Sequence, residues 1–232
     1  MIEKFEMEIG GRVLEFEHGR VAAQAGGAIT VQYGDTMLLA TATASKKPRP
    51  GADFLPMTVD VAEKAYAGGK LPGGFFKREG RPATEAILAS RMIDRPIRPL
   101  FSKTIHNEIQ IIVTILASDK VNPYPAIGII GASTALAISD IAFNDPIGAC
   151  VVGLVDGELV VNPTYEELQT SDLELLVAGT GEATMMVESG GNFVSEAVLL
   201  DALELAQEVN GAIVEQIVEI QAKVGKKKWE AP

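Results

Sequence analysis

The chain has 232 residues, 47% of them hydrophobic, enough to bury a substantial core as one large domain or two small ones. Its formal charge is −11, from 20 Lys and Arg against 31 Asp and Glu, which argues against general stickiness toward polyanions. A single cysteine, Cys150, rules out an intramolecular disulfide; set in an apolar run (residues 148–155), it reads as a small buried hydrophobe and suits a reducing cytosol.

Residues 1–9 alternate charged and apolar side chains, unlike a signal peptide. Two such period-2 runs, around residues 5–9 and 13–17, flank Gly10-Gly11 and predict a β-hairpin. Residues 28–33 and 36–44 repeat the pattern around Gly34-Asp35, and further strands are expected at 57–63 and 108–117. Pro82 opens a predicted helix over 83–94, which Pro96 should stop. Pro125 opens a second, to about residue 143, whose Gly128, Gly131, Ala132 and Ala135 suit a fully buried core helix packed on a sheet. The longest apolar run, residues 126–137, is too short to cross a bilayer, so a cytoplasmic protein without membrane contact is expected. Hairpins follow at 151–155 with 158–161, joined at Asp156-Gly157, and at 173–178 with 184–188. A last helix over 195–224 carries a stripe of Leu199, Leu203, Ala206, Ile213, Ile217 and Ile220, interrupted near Gly211. Strands interleaved with three main helices make an α+β fold of mixed, mostly antiparallel sheets. The core domain is expected to span residues 1–224, with 225–232 starting a linker to a further helical domain.

Charge is divided unevenly. Residues 46–103 hold 12 basic and 6 acidic side chains, a local net of +6, which leaves −17 on the remainder. Within that segment a glycine-rich loop presents Phe75 and Phe76 directly before Lys77 and Arg78, with Arg81 beyond. Aromatic faces stack on bases and cations neutralise phosphates, so the pairing suits single-stranded nucleic acid; a hairpin tip with two tucked phenylalanines is the plainer alternative. The GGKLPGG run is no P-loop, because no Gly-Lys-Ser/Thr opens a helix, and His18 and His106 lack metal-ligand spacing.

Long blocks of the chain resemble the first ribonuclease PH-like core of the polynucleotide phosphorylase family. These include GGRVLEFEHGRVAAQAGGAITVQYGDTMLLATATAS, PGGFFKREGRP, RMIDRPIRPLF, NPYPAIGIIGASTALAISDIAF and NPTYEELQTSDLELLVAG. The resemblance implies a two-layer β-α-β fold. It also implies an enzyme in which phosphate attacks the 3′-terminal linkage of RNA to release nucleoside diphosphates, with Mg²⁺ assisting. The implied partners are single-stranded RNA, a second core domain of the same protein and two further subunits in a homotrimeric ring. Phe75, Phe76, Lys77, Arg78 and Arg81 would then line the ring's channel, with Arg98 as a further phosphate contact; Arg91 and Arg95 share its helix face and Asp94 is a competing ion-pair partner.

Catalytic cores of that family cradle phosphate on a Gly-Ser-Ser-type helix start; here the matching stretch is Asn122-Pro-Tyr-Pro-Ala-Ile127, with two N–H donors removed by proline. They also carry Asp-x-Asp-x-Lys where this chain has Asp172-Leu-Glu174-Leu-Leu176. A silent core with no catalytic residues and no confidently assigned metal is therefore expected. The alternatives are a self-sufficient phosphorolytic ribonuclease and a pure assembly module without useful RNA affinity.

Overall fold

The computed structural model describes residues 2–230 and contains two sheets with a helix between them. The first sheet comprises β1 (Glu3–Ile9), β2 (Arg12–His18), β3 (Gly27–Tyr33), β4 (Thr36–Pro48), β5 (Met57–Glu63) and β6 (Asn107–Ala117). Its order is β1-β2-β3-β4-β6-β5, antiparallel except for the parallel β5–β6 pair, which leaves β5 on an edge. The second holds β7 (Gly148–Val155), β8 (Glu158–Val161), β9 (Leu173–Gly179) and β10 (Thr184–Gly191) in the order β10-β9-β7-β8, all antiparallel. The expected α+β class and the predicted hairpins are present.

Helix α2 (Pro125–Ile138) lies between the sheets, with every residue from Ala126 to Ile138 buried. Small residues make that possible. A Cβ on Gly131 would sit 2.9 Å from Leu38 Cδ1 and 3.1 Å from Ala40 Cβ, while one on Gly27 would collide with the Ala135 carbonyl. The helix thus touches β3 and β4 at distances that larger side chains would forbid. It ends at Ile138, short of the expected residue 143. Ser139 turns extended there, its hydroxyl donating to the Leu136 carbonyl (2.7 Å) and accepting from the Ile141 N–H (3.1 Å).

Helix α1 (Thr84–Ile97) packs on β5 and α2, and it runs through Pro96 where a stop was expected. The proline lies in the last turn, so its missing N–H interrupts the helical ladder only at its end, and burial of Ile93, Pro96 and Ile97 offsets that loss. A fourth helix, the short α3 (Tyr165–Thr170), was not anticipated, although its capping box is in the sequence: the Thr164 hydroxyl accepts from the Glu167 N–H, and Glu167 reaches back to the Thr164 N–H. Helix α4 (Glu196–Val224) is continuous. Ala202 and Ala206 pack with Cys150, Val152, Leu173, Leu175 and Val177, and Ile213, Ile217 and Ile220 join the main core. Fully buried Asn210 fills the gap in the apolar stripe, its amide donating to the Val177 carbonyl (3.3 Å).

The segment after α4, expected as the start of a linker, is anchored at least as far as Trp229. The Lys226 N–H bonds the Ile138 carbonyl (3.0 Å) and the Trp229 N–H bonds the Asp140 carbonyl (2.8 Å). The Lys228 ammonium donates to the carbonyls of Leu136 (2.7 Å) and Ser139 (2.8 Å), capping the C-terminal end of α2 as a cation should. Among the described residues, no helix is long and apolar enough to cross a membrane.

Candidate nucleic-acid interface

The glycine-rich loop leaves β5 through a 3₁₀ turn at Ala65–Gly68, closed by Gly69 in the left-handed region (φ 70°). The Lys70 N–H returns to the Ala65 carbonyl (2.9 Å), and the Glu79 carboxylate accepts from the Ala65 N–H (3.0 Å). These bonds pin the base of the loop and let its tip project. Phe75 is 93% exposed and Phe76 78%, their rings packed edge to face with centroids 5.4 Å apart. The tucked-phenylalanine alternative is therefore wrong for this structure. Among the described residues, no carboxylate pairs with Lys77, Arg78 or Arg81. The tip presents two exposed phenylalanines directly before two solvated cations, Lys77 and Arg78.

The remaining arginines separate. Arg81 and Arg91 come together in an open groove of about 650 Å³ between β5 and the start of α1, with Lys64 and, of opposite sign, Asp60, Glu63 and Glu79. Arg95 pairs with Glu188 on β10 (3.0 Å). Arg98 turns inward: it donates to both oxygens of Asp94 (2.9 and 2.5 Å) and to the carbonyls of Leu55 (3.2 Å) and Met57 (3.0 Å). Four of its five N–H donors are thus committed. Asp94, a competing partner in the sequence, is the one it takes.

The N-terminus of α2 is closed by a polar hub. Asp119 accepts from the backbone N–H groups of Val121 and Asn122 (both 2.8 Å), from the Asn122 amide (2.5 Å) and from the Thr36 hydroxyl (2.9 Å). Burial opposes its ionisation, but these donors outweigh burial and hold its carboxyl at about 2. Asn122 in turn accepts from Arg12, which also donates to the Asn162 carbonyl (2.7 Å). Tyr124 donates to the Glu63 carboxylate. Its hydroxyl pKa is pushed up by burial, then by Glu63, Tyr165 and Glu85; that of Tyr165 is raised by burial, Glu63, Asp119 and Glu174. Asp119, Glu63 and the phenol of Tyr124 thus flank this helix start, and the one guanidinium there, Arg12, is already committed to Asn122 and the Asn162 carbonyl. Such surroundings repel an anion, where an N–H-rich terminus would attract one.

Asp172, just before β9, and Glu174 on it are exposed, and Leu176, two residues further on, is only 6% exposed. The Asp172 carboxylate accepts from the Asn192 amide at 3.4 Å. Among the described residues, no three His, Cys, Asp or Glu side chains gather as metal ligands. The sequence reading missed the Asp119 hub and the Tyr124–Glu63 pair. An Asx-turn signal at Asp119 through Asn122-Pro123 was available for the first; nothing in the sequence joins residues 63 and 124.

Residues 10–142 match the 3′ exoribonuclease family, domain 1, and residues 145–209 match domain 2 of the same family. The chain belongs to the 3′ exoribonuclease, or RNase PH, family. Among its relatives, a polyribonucleotide nucleotidyltransferase from Heliobacterium modesticaldum is 52% identical over 231 residues, all of this chain but 33% of the relative. Those of Syntrophomonas wolfei and Dehalococcoides mccartyi are 54% and 48% identical over 99% and 98% of the chain, and over 33% and 32% of their own lengths. The chain spans about a third of the length of the curated relatives it matches, as one RNase PH-like core domain would. Both domain matches fall on the fold described above, meeting between the end of α2 and the start of β7.

Proposed function

We propose that this RNase PH-family core guides single-stranded RNA and helps build a ring within a longer phosphorolytic 3′ exoribonuclease, without forming a phosphorolytic site of its own. The observation that carries the proposal is the 70–82 loop, where two exposed phenylalanines directly precede Lys77 and Arg78, with Arg81 further along toward the groove. Exposed paired aromatics have no folding rationale, whereas stacking on bases is worth about 1–3 kcal/mol per base and tolerates any sequence. The acidic, phenol-lined start of α2 and buried Leu176 support the second half of the proposal. Phosphate finds no cradle there, and no lysine follows the Asp172/Glu174 pair. Mg²⁺ chemistry then belongs to a catalytic core elsewhere in the longer protein, and three copies around a channel would multiply the weak grip of each loop.

Fluorescence anisotropy with labelled oligo(A) tests this reading. Three phosphate contacts predict a slope of log K on log salt of about −2. Phe75→Ala/Phe76→Ala should weaken binding about ten- to a hundredfold. Binding unchanged by the double substitution removes the loop from the RNA path.

A further inference from the structure

The loop accounts for only part of the basic segment; Lys46, Lys47 and Arg49 lie at its other end. Of these, Arg49 lines another groove, an open depression of about 700 Å³ at the start of β5. Its walls include Ser45, Arg49, Phe54, Arg98, Glu108 and Gln110. A volume of that order falls within the range of small-molecule sites and admits a nucleotide. Phe54 is 61% exposed.

The groove is preformed. The Arg49 N–H bonds the His106 carbonyl (2.8 Å), and the Ala52 N–H bonds the Arg49 carbonyl (3.3 Å), which fixes the turn leading to Phe54. The Ser45 hydroxyl accepts from the Glu108 N–H (2.9 Å), and the Ser45 carbonyl accepts from the Asn107 amide (2.8 Å). Arg98 holds the Leu55 and Met57 carbonyls of the floor, and its remaining N–H is the one donor it can offer a ligand. Arg49 is held only by a solvated 3.4 Å pair with Glu108, so a phosphate can take it over.

Along β5 the lining of this groove ends at Thr58 and that of the Arg81/Arg91 groove begins at Val59, whose side chain points to the opposite face. Seven residues of edge strand, about 20 Å, therefore separate an exposed aromatic with arginine at one end from the phenylalanine loop at the other.

Resting on the RNA-guiding reading above, we propose that the Phe54/Arg49 groove is a second subsite for a nucleotide of single-stranded RNA. A base stacks on Phe54, Arg49 holds the adjoining phosphate, and the strand follows the outer edge of β5 toward the loop. Glu108 sets the limit on affinity, since its charge opposes the phosphate until Arg49 turns away from it.

The test is oligo(A) binding by the whole chain and by Phe54→Ala, Arg49→Ala and Phe75→Ala/Phe76→Ala. It is paired with photo-crosslinking of an oligo(A) strand bearing 4-thiouridine and peptide mapping. Phe54→Ala should weaken binding about tenfold, multiply with the loop substitution, and remove crosslinks mapping to residues 49–58. Phe54 is exposed, so its variant should melt like the parent chain. Loss of binding in the loop variant alone, with no crosslink at 49–58, overturns the subsite while the loop stands. Loss in Phe54→Ala alone sinks the loop and keeps the subsite. No binding and no crosslink by the parent chain overturns both. A Phe54→Ala variant that changes sedimentation and leaves RNA binding intact makes the groove a protein interface and ends the proposal.

Discussion

Two glycines inside helices should respond to alanine with opposite signs. Gly131 sits mid-way along α2, where an added Cβ would meet Leu38 Cδ1 at 2.9 Å, Ala40 Cβ at 3.1 Å and Val31 Cγ2 at 3.4 Å. All three neighbours are fully buried, so none can swing into solvent. Overpacking of this kind costs about 1–3 kcal/mol, against a helix-propensity gain of about 1 kcal/mol. Gly131→Ala should therefore destabilise by about 1 kcal/mol, a drop in Tm of about 3 °C for a domain of this size. Gly211, in α4, has open space where a methyl group would stand, with no neighbouring atom within 4 Å, so Gly211→Ala should gain about 0.5–1 kcal/mol from propensity alone. Urea unfolding of the two variants, with m held constant, measures both. A stabilised Gly131→Ala would mean that α2 is not tightly clamped by β3 and β4, and would refute the packing account.

Asp119 makes stability pH-dependent in a defined window. Its folded carboxyl, at about 2, lies below the ordinary 3.8, so its contribution is full above pH 3.8 and disappears as pH falls toward 2. After discounting for its partial exposure this is about 1 kcal/mol, and Asp119→Asn should flatten that part of an acid-denaturation curve. Leu176→Lys should destabilise by several kcal/mol, because the ammonium enters a core position; unfolding in urea gives the figure. Lys228→Met should free the anchored C-terminal segment, seen as faster hydrogen exchange at the Lys226 and Trp229 amides with the sheet amides unchanged.

Period-2 alternation around Gly10-Gly11, Gly34-Asp35 and Asp156-Gly157 placed most of the hairpins, because a half-buried strand and a positive-φ turn both leave local marks. Helix ends were less legible. Pro96 reads as a stop by local sterics, and it was the burial of Ile93 and Ile97 from afar that carried α1 past it. The phenylalanine loop was visible as a composition, but its projection depends on the Glu79–Ala65 bond across fourteen residues. At Arg98 the sequence offers either a phosphate contact or an Asp94 pair; only the fold brings the Leu55 and Met57 carbonyls to it. The groove with Phe54 left no mark, since residues 45, 54, 98 and 108 become neighbours only through the β4–β6–β5 pairing.

On the proposed reading, this core holds RNA without cleaving it. The most direct test is phosphorolysis: the purified chain with labelled oligo(A), phosphate and Mg²⁺, following ADP release while anisotropy reports binding in the same sample. The account predicts bound RNA and no phosphate-dependent ADP. Sustained ADP release in proportion to the chain would contradict it, and would mean that the start of α2 or the Asp172/Glu174 strand does form a working site.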